Sequence, residues 1–346
     1  MPRLLSLTTP ATADLDTLVS DPAVQAAARC LQQGGLLGLP TETVYGLAAD
    51  AGQPAAVARI FDTKGRPANH PLIVHLPPAW ESGVAHHAAQ VPDFARALMQ
   101  AFWPGPLTLI VPRREGVAEA AAGGQASVGL RCPAHPVAQA VLTAAQRLGV
   151  LGVAAPSANR FGRVSPTTAS HVLEEFSTLG AGELAVLDGG ACGVGIESTI
   201  VDATRGVPVL LRPGMVTADQ LAHACGQPVR LPHEVTEQAP RASGTLASHY
   251  APTAQVRLMD APQLSQALAL LGNPPPGRVA VYAHQRPAHT AVTWRPMPTD
   301  AAACAQQLFA VLRELDALGV GLIWVETPPD TPEWQGVRDR LARAAA

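Results

Sequence analysis

Short apolar runs stopped dead by proline constrain this chain more than any other feature: LLGLP, LIVHLP, LTLIVP, SVGLRCP, LGVAAP and VLLRP. Proline lacks the N–H that a central ladder needs and breaks a helix interior, so each run is a strand of about five residues that ends where the proline begins. Between the runs the apolar spacing turns helical. It predicts a first helix over about 22–33, with Asp21 as N-cap, Pro22 in the first turn and Gly34-Gly35 as the stop. Further helices are expected over about 55–61, 92–102, 137–148 and 168–176, with strands LAVLDGG and STIVDA completing the set. Strands outnumber helices, and several follow one another directly. The expectation is a mixed α/β sheet and not a purely parallel one.

A chain of 346 residues exceeds one comfortable core and points to two domains. Residues 1–231 carry the mixed pattern. Residues 232–254, spanning PHEVTEQAPRASGTLASHYAP, show neither helical nor strand periodicity and read as a linker. From 255 to 346 the pattern is regular: strand QVRLM, helix PQLSQALALLG, strand RVAVYA, a helix over about 300–317, strand GLIWVE and a last helix. That alternation predicts a small parallel three-layer domain. It has no GxGxxG, and no polar cluster is legible at its strand ends.

Composition excludes several classes. Hydrophobic residues are 47% and aromatics 4%, so the interior is built from Ala, Val and Leu. No apolar run approaches the roughly 18 to 20 residues that cross a bilayer, and MPRLLSLTTPATADLD lacks the apolar core of a signal peptide. A cytoplasmic protein without a membrane partner is expected. The five cysteines are scattered without a CxxC, which argues against a disulfide framework or a structural zinc. The His86-His87 doublet lies in a polar, loop-like stretch and reads as surface. A net charge of −3 makes a stable nucleic-acid complex unexpected. Lys64 is the only lysine among 24 basic residues, so it marks either chance survival or a site that needs a compact ammonium.

The chain contains no GxxxxGK[ST] loop and no GxSxG elbow. Its chemistry-bearing residues instead form five polar clusters at strand ends, where open α/β sheets present ligands. The turn Pro40-Thr41-Glu42-Thr43 is either a helix cap or a ligand site. Lys64-Gly65-Arg66-Pro67, with His70 and His75 beyond it, suits a polyanion or is ordinary surface charge. Arg131, closing SVGLRC, receives a carboxylate or makes a structural ion pair. Ala155-Pro156-Ser157-Ala158-Asn159 with Ser165 admits a flat ligand or caps a helix. The glycine-rich stretch from Asp188 to Glu197, followed by Ser198-Thr199 and Leu211-Arg212-Pro213-Gly214, wraps phosphate or makes a tight loop.

Taken in order, PTETVYGLAAD, KGRPANHPLIVH, FWPGPLTLI, VGLRCP, APSANRFGRVSPT, ESTIVD and LRPG resemble the threonylcarbamoyl-AMP synthase family with its YrdC-type domain. The tail after His249-Tyr250-Ala251-Pro252 resembles that of the longer, two-domain members. The resemblance implies a YrdC-like twisted mixed sheet with flanking helices and a smaller Rossmann-like parallel α/β domain. It implies synthesis of threonylcarbamoyl-AMP from L-threonine, bicarbonate and ATP, with Mg²⁺ accompanying ATP and release of pyrophosphate. The product then passes to a tRNA threonylcarbamoyl transferase complex.

Position by position, the resemblance puts Thr41, His75, Arg131, Ala155 and Thr199 around threonine, with Arg131 on its carboxylate. It puts Lys64, Arg66, His70, Ser127, Ser157, Asn159, Ser165 and Arg212 toward ATP, with Tyr250 closing over the nucleotide. Lys64 and Arg66 are the residues expected to stabilise the displacement itself. His70 replaces the asparagine common in the family. Glu42 and Glu197 are candidate bases or structural carboxylates, and no metal ligand is identified. The alternative is a double-stranded RNA binding module without catalysis. Hydrogenase-maturation carbamoyl transferases use a related domain but carry paired CxxC motifs, which this chain lacks.

Overall fold

The computed structural model describes residues 1–236, 239–245, 249–272, 278–288 and 292–346. The chain begins with β1 (Arg3–Ser6), α1 (Leu15–Ser20), α2 (Pro22–Gln32), β2 (Leu36–Leu39), β3 (Gly46–Asp50), α3 (Pro54–Lys64) and β4 (Ile73–His75). It continues through α4 (Trp80–His87), α5 (Asp93–Phe102), β5 (Leu107–Pro112), β6 (Ser127–Arg131), α6 (Pro136–Arg147), β7 (Val153–Ala154) and α7 (Ala169–Glu175). Then come β8 (Leu184–Asp188), β9 (Thr199–Asp202), β10 (Val209–Arg212) and α8 (Ala218–Cys225).

Among the described residues these strands form one sheet in the order β1-β8-β2-β3-β7-β4-β6-β5-β9-β10. Parallel and antiparallel pairs are mixed, as expected for strands that follow one another without a crossover helix. The pleat sorts side chains between two cores. In β3, Leu47 and Ala49 join α3 and α5, whereas Ala48 joins α2 and α6 on the other face. Asp21 caps α2 by accepting from the Ala23 N–H at 2.8 Å, and its second oxygen accepts from Thr8 and Thr9, which ties the first strand's exit to that helix.

The second sheet contains β11 (Gln255–Met259), β12 (Val279–Ala283), β13 (Thr293–Pro296) and β14 (Leu322–Glu326), with helices α9 (Ala261–Leu270), α10 (Ala301–Ala317) and α11 (Gln335–Ala344). Its order is β11-β14-β12-β13, and the pairs are parallel. Ala280 and Tyr282 pack with Leu308 and Leu312 of α10 and Leu341 of α11, while Val279 and Val281 pack with Leu264 of α9. The result is a three-layer Rossmann-like unit.

Six elements were not foreseen: β1, β3, β13, α1, α4 and α8. GLAAD in β3 has weak strand propensity, and pairing with β2 and β7 on either side makes it a strand. Gly46 allows the close approach, since a Cβ there would lie 3.0 Å from the Ala155 Cβ. The surface reading of His86-His87 is corrected: both lie in α4, and His87 is buried, its Nδ1 donating to the Gly83 carbonyl at 2.8 Å. The expectation that the second sheet lacks polar strand ends is corrected too. A crevice of about 760 Å³ opens beyond β12 and β14, lined by His284, Arg286 and Glu326 over the apolar α9. These residues are scattered among loop letters and form a group only once the parallel strands align. Among the described residues no helix is long and apolar enough to cross a membrane.

The two sheets share a core. Val44, Val164, Ile196 and Tyr250 from the first part of the chain pack in one cluster with Leu308, Phe309 and Leu341. Gly195, at φ +81°, lies against α10 so closely that a Cβ would come within 2.3 Å of the Gln306 carbonyl oxygen. Gly195→Ala therefore combines backbone strain with a clash and should destabilise the chain by about 2 to 5 kcal/mol. A thermal midpoint unchanged from wild type would contradict the docking of α10 on this loop.

Candidate active site

The carboxyl ends of β4 and β6 lie side by side, with His75 opposite Arg131. Because β5 runs antiparallel to β6 and parallel to β9, the amino end of β9 reaches the same edge. There, all five polar clusters meet around one small cavity of about 30 Å³. Its walls include Thr43, Arg66, His75, Arg131, Ala155, Ser157, Glu197 and Arg212. Ser243, Gly244, His249 and Tyr250 of the linker close it from the other side. The remaining volume holds about one water.

The charge around this cavity is unbalanced. Arg66, Arg131 and Arg212 line it, and all three are buried. Lys64 lies directly behind, its ammonium donating to the Ser157 carbonyl at 2.6 Å and to that of Asn159. The only acid lining it among the described residues is Glu197. Burial, then Arg66, pushes the Lys64 ammonium well below its ordinary range. Burial likewise brings Arg66 down to about 10, with Arg212 adding repulsion. The surface-charge reading of Lys64-Gly65-Arg66 is thereby overturned, because the αL turn at Gly65 folds both cations inward.

Arg131 donates to the Thr43 hydroxyl at 2.9 Å and meets Glu42 as an ion pair at 2.6 Å. The Thr41 hydroxyl bridges Thr43 and the Val44 carbonyl, holding the turn that presents this group. His75 beside Arg131 is pushed down to about 3 by burial and then by that cation, so its ring is neutral at pH 7. Ala155 is a buried wall residue. The Thr199 hydroxyl is taken by the Val216 carbonyl at 2.8 Å, which holds the turn after β10 against β9, and the residue does not line the cavity.

On the opposite side, Arg212 donates to the Ser198 carbonyl at 3.0 Å and to that of Ser243 at 2.9 Å. Arg66 donates to the Pro71 carbonyl at 2.9 Å and to the Ser243 hydroxyl at 3.3 Å. Asn159 is buried next to Lys64, and Ser165 donates to Glu197 at 2.5 Å. Ser127 lies outside the cavity, in a narrow adjoining crevice with Arg241 and Ser243. His70 is also outside, its ring edge-on to Phe161 at 5.5 Å.

Several buried polar atoms here have no hydrogen-bond partner among the described residues: Arg66 Nε, Asn159 Oδ1, His249 Nδ1 and the Tyr250 hydroxyl. Interiors rarely leave such groups unsatisfied, so their concentration beside one cavity marks a place built for something else. Tyr250 itself takes φ +62°, the left-handed region, although it is not glycine. Sequence reasoning placed Ser198 in the fifth cluster without a role, and missed Ser243 and Arg340. Arg340 is fully buried and pairs with Glu197 at 2.9 Å, yet it sits in the charged string RDRLAR, which reads as a solvated helix face.

Comparison with known proteins agrees with the geometry. Residues 29–214 match the family described as telomere recombination (Sua5, YciO and YrdC), and residues 216–346 match threonylcarbamoyl-AMP synthase, C-terminal domain. The threonylcarbamoyl-AMP synthase of Bacillus subtilis is 35% identical over 94% of this chain and 94% of its own length. That of Pyrococcus abyssi is 40% identical over 69% of this chain and 68% of its own. The crystal structure of Pyrococcus abyssi Sua5 complexed with L-threonine superposes with a TM-score of 0.84 at 32% identity, covering 100% of this chain and 97% of that one.

Histidines withdrawn from water contribute to the acid response. His75 and His249 are held to about 3 and His171 to about 4, burial being the first cause in each, against 6.5 when free. The unfolded chain therefore takes up these protons first, and stability falls as pH drops from about 6.5 toward 4. The thermal midpoint should be lower at pH 5 than at pH 7.5, and His249→Gln should shrink the difference. A midpoint flat across that range would contradict neutral burial.

Proposed function

Because the chain belongs to the threonylcarbamoyl-AMP synthase family, we propose that it condenses L-threonine, bicarbonate and ATP into threonylcarbamoyl-AMP with release of pyrophosphate, for threonylcarbamoyl modification of tRNA. The observation that carries this reading is the surplus of buried positive charge around one cavity. A triphosphate and an amino-acid carboxylate are the anions such a surplus suits.

In this reading residues 1–231 are the catalytic part, 232–254 the covering linker and 255–346 the domain behind it. Arg131 exchanges Glu42 for the threonine carboxylate, with His75, Thr41, Ala155 and Thr199 shaping the pocket. Lys64, Arg66 and Arg212 take the triphosphate, Ser157, Asn159 and Ser165 contact or orient the nucleotide, and Ser127 and His70 act from its margin. The threonine amine first condenses with bicarbonate, forming the N–C bond of a carbamate as a bicarbonate oxygen leaves as water, and the carbamate oxygen then attacks the α-phosphorus as pyrophosphate leaves. Positioning and charge neutralisation dominate such a displacement. Mg²⁺ would enter as part of the ATP substrate, since no group of three or more His, Cys, Asp or Glu side chains that could hold a metal occurs among the described residues. The product is handed to a tRNA threonylcarbamoyl transferase complex in the cytoplasm.

Pyrophosphate release from ATP tests this reading, with threonine, serine, valine or no amino acid, each with and without bicarbonate. Release should require both threonine and bicarbonate, and serine should be about 10- to 200-fold poorer because one methyl group separates the two. Lys64→Ala should lose about 2 to 4 kcal/mol of transition-state stabilisation, the scale of removing a key electrostatic donor. Turnover that ignores threonine, or a Lys64→Ala loss below tenfold, would sink the respective assignment.

The linker already covers the site, with Ser243 on both Arg66 and Arg212. The space beneath holds about one water, so ATP has to displace this segment from the two arginines. A non-hydrolysable ATP analogue should therefore change the rate of proteolytic cleavage at Arg241. Cleavage unaffected by a saturating analogue would count against a moving lid.

A further inference from the structure

Among the side chains through which the second domain reaches the active-site region, Arg340 makes the most of the described hydrogen bonds. Arg340 of α11 is fully buried, and each of its nitrogens has an acceptor. Nε donates to the Glu197 carboxylate at 2.9 Å and Nη2 to the Glu197 carbonyl at 3.0 Å. Nη1 donates to the Pro213 carbonyl at 2.8 Å and to Asp339 at 2.8 Å. The guanidinium also lies 5.5 Å from the centre of the Tyr250 ring. Arg340 does not line the cavity, but Glu197 and Tyr250 do.

From Arg340 the contacts run to nucleotide-side residues. The Glu197 oxygen that Arg340 leaves free accepts from Ser165 at 2.5 Å. Pro213 follows Arg212 directly, so the Pro213 contact braces the turn that carries that cation. Gly336 makes the approach possible: a Cβ there would lie 3.1 Å from the Gly214 backbone. From α10, Arg313 grips the same region, donating to the Val164 carbonyl at 2.5 Å and pairing with Glu175 at 2.7 Å. The threonine side, Arg131 with Glu42, Thr43 and His75, has no such contact from α10 or α11 among the contacts described.

We infer that Arg340 is a positioning residue for nucleotide binding, through which the C-terminal domain holds Glu197, Ser165, the Arg212 turn and Tyr250 in place. This rests on the functional reading above. Stability alone does not account for a buried arginine, since a buried ion pair is often replaceable by apolar groups without loss. What the arginine adds is its planar fork, which holds a carboxylate, two carbonyls and a ring face in one geometry. A lysine keeps the charge and loses that fork.

The test is equilibrium binding of a non-hydrolysable ATP analogue and, separately, of L-threonine, to full-length wild type and Arg340→Lys, with thermal midpoints measured alongside. The expected result is nucleotide binding weakened about tenfold or more, with threonine binding within about twofold of wild type. Where Arg340→Lys fails to fold, Arg340→Met combined with Glu197→Gln removes both buried charges, and Glu197→Gln alone is its reference for the same two affinities. Equal nucleotide affinity in variant and reference, or equal weakening of both ligands, overturns the inference and leaves the functional reading intact. Wild type that binds no nucleotide overturns both.

Discussion

The burial of like charge around one cavity is the constraint on which the rest of this structure depends. Lys64, Arg66, Arg131 and Arg212 are all withdrawn from water within a single cavity and its immediate backing. An isolated buried cation is untenable, so each is wired to oxygen: Lys64 to two carbonyls, Arg66 to Pro71, Arg131 to Glu42 and Thr43, Arg212 to Ser198. Those acceptors come from distant parts of the chain. The site therefore exists only when β4, β6, β7, β9 and β10 are assembled, and its residual positive charge is what an anionic substrate completes.

That requirement explains why the second domain packs as it does. A free-standing parallel domain would need only its own two cores. Here one of those cores runs on into the first domain through Val44, Val164, Ile196 and Tyr250, and glycines at 195 and 336 let the two backbones come together. The interface carries Arg313 and Arg340 onto the loops bearing Ser165 and Glu197. Glu197 shows the consequence. Burial alone opposes its charge, but Arg340 first and then Arg212 reverse that, and its carboxyl is held below the usual range.

Much of the site was legible because its residues fall into compact segments at strand ends. Thr41, Lys64, Arg66, His75, Arg131, Ser157, Asn159 and Arg212 were all singled out in the sequence, and the fold brings them to one edge of the sheet or directly behind it. The less legible parts have a common cause. Ser243 gains its place by meeting Arg66 and Arg212 across more than thirty residues of chain or across the sheet, and nothing local marks it. His87 reads as polar surface beside His86, yet the rotation of α4 turns one ring inward and the other partly outward.

The sequence by itself determined the layered α/β architecture, because proline stops and two distinct periodicities are local and survive in any context. It also determined which residue types could bind an anion, since that is a property of side chains alone. Only the tertiary structure decided that the lone lysine points inward, that Ser127 and His70 stand outside the cavity, and that an arginine near the C-terminus completes the network around Glu197. The reason is physical. Burial and hydrogen-bond partnership are properties of space between segments, and an arginine carries the same letter whether it ends in water or, like Arg340, against a carbonyl 143 positions away.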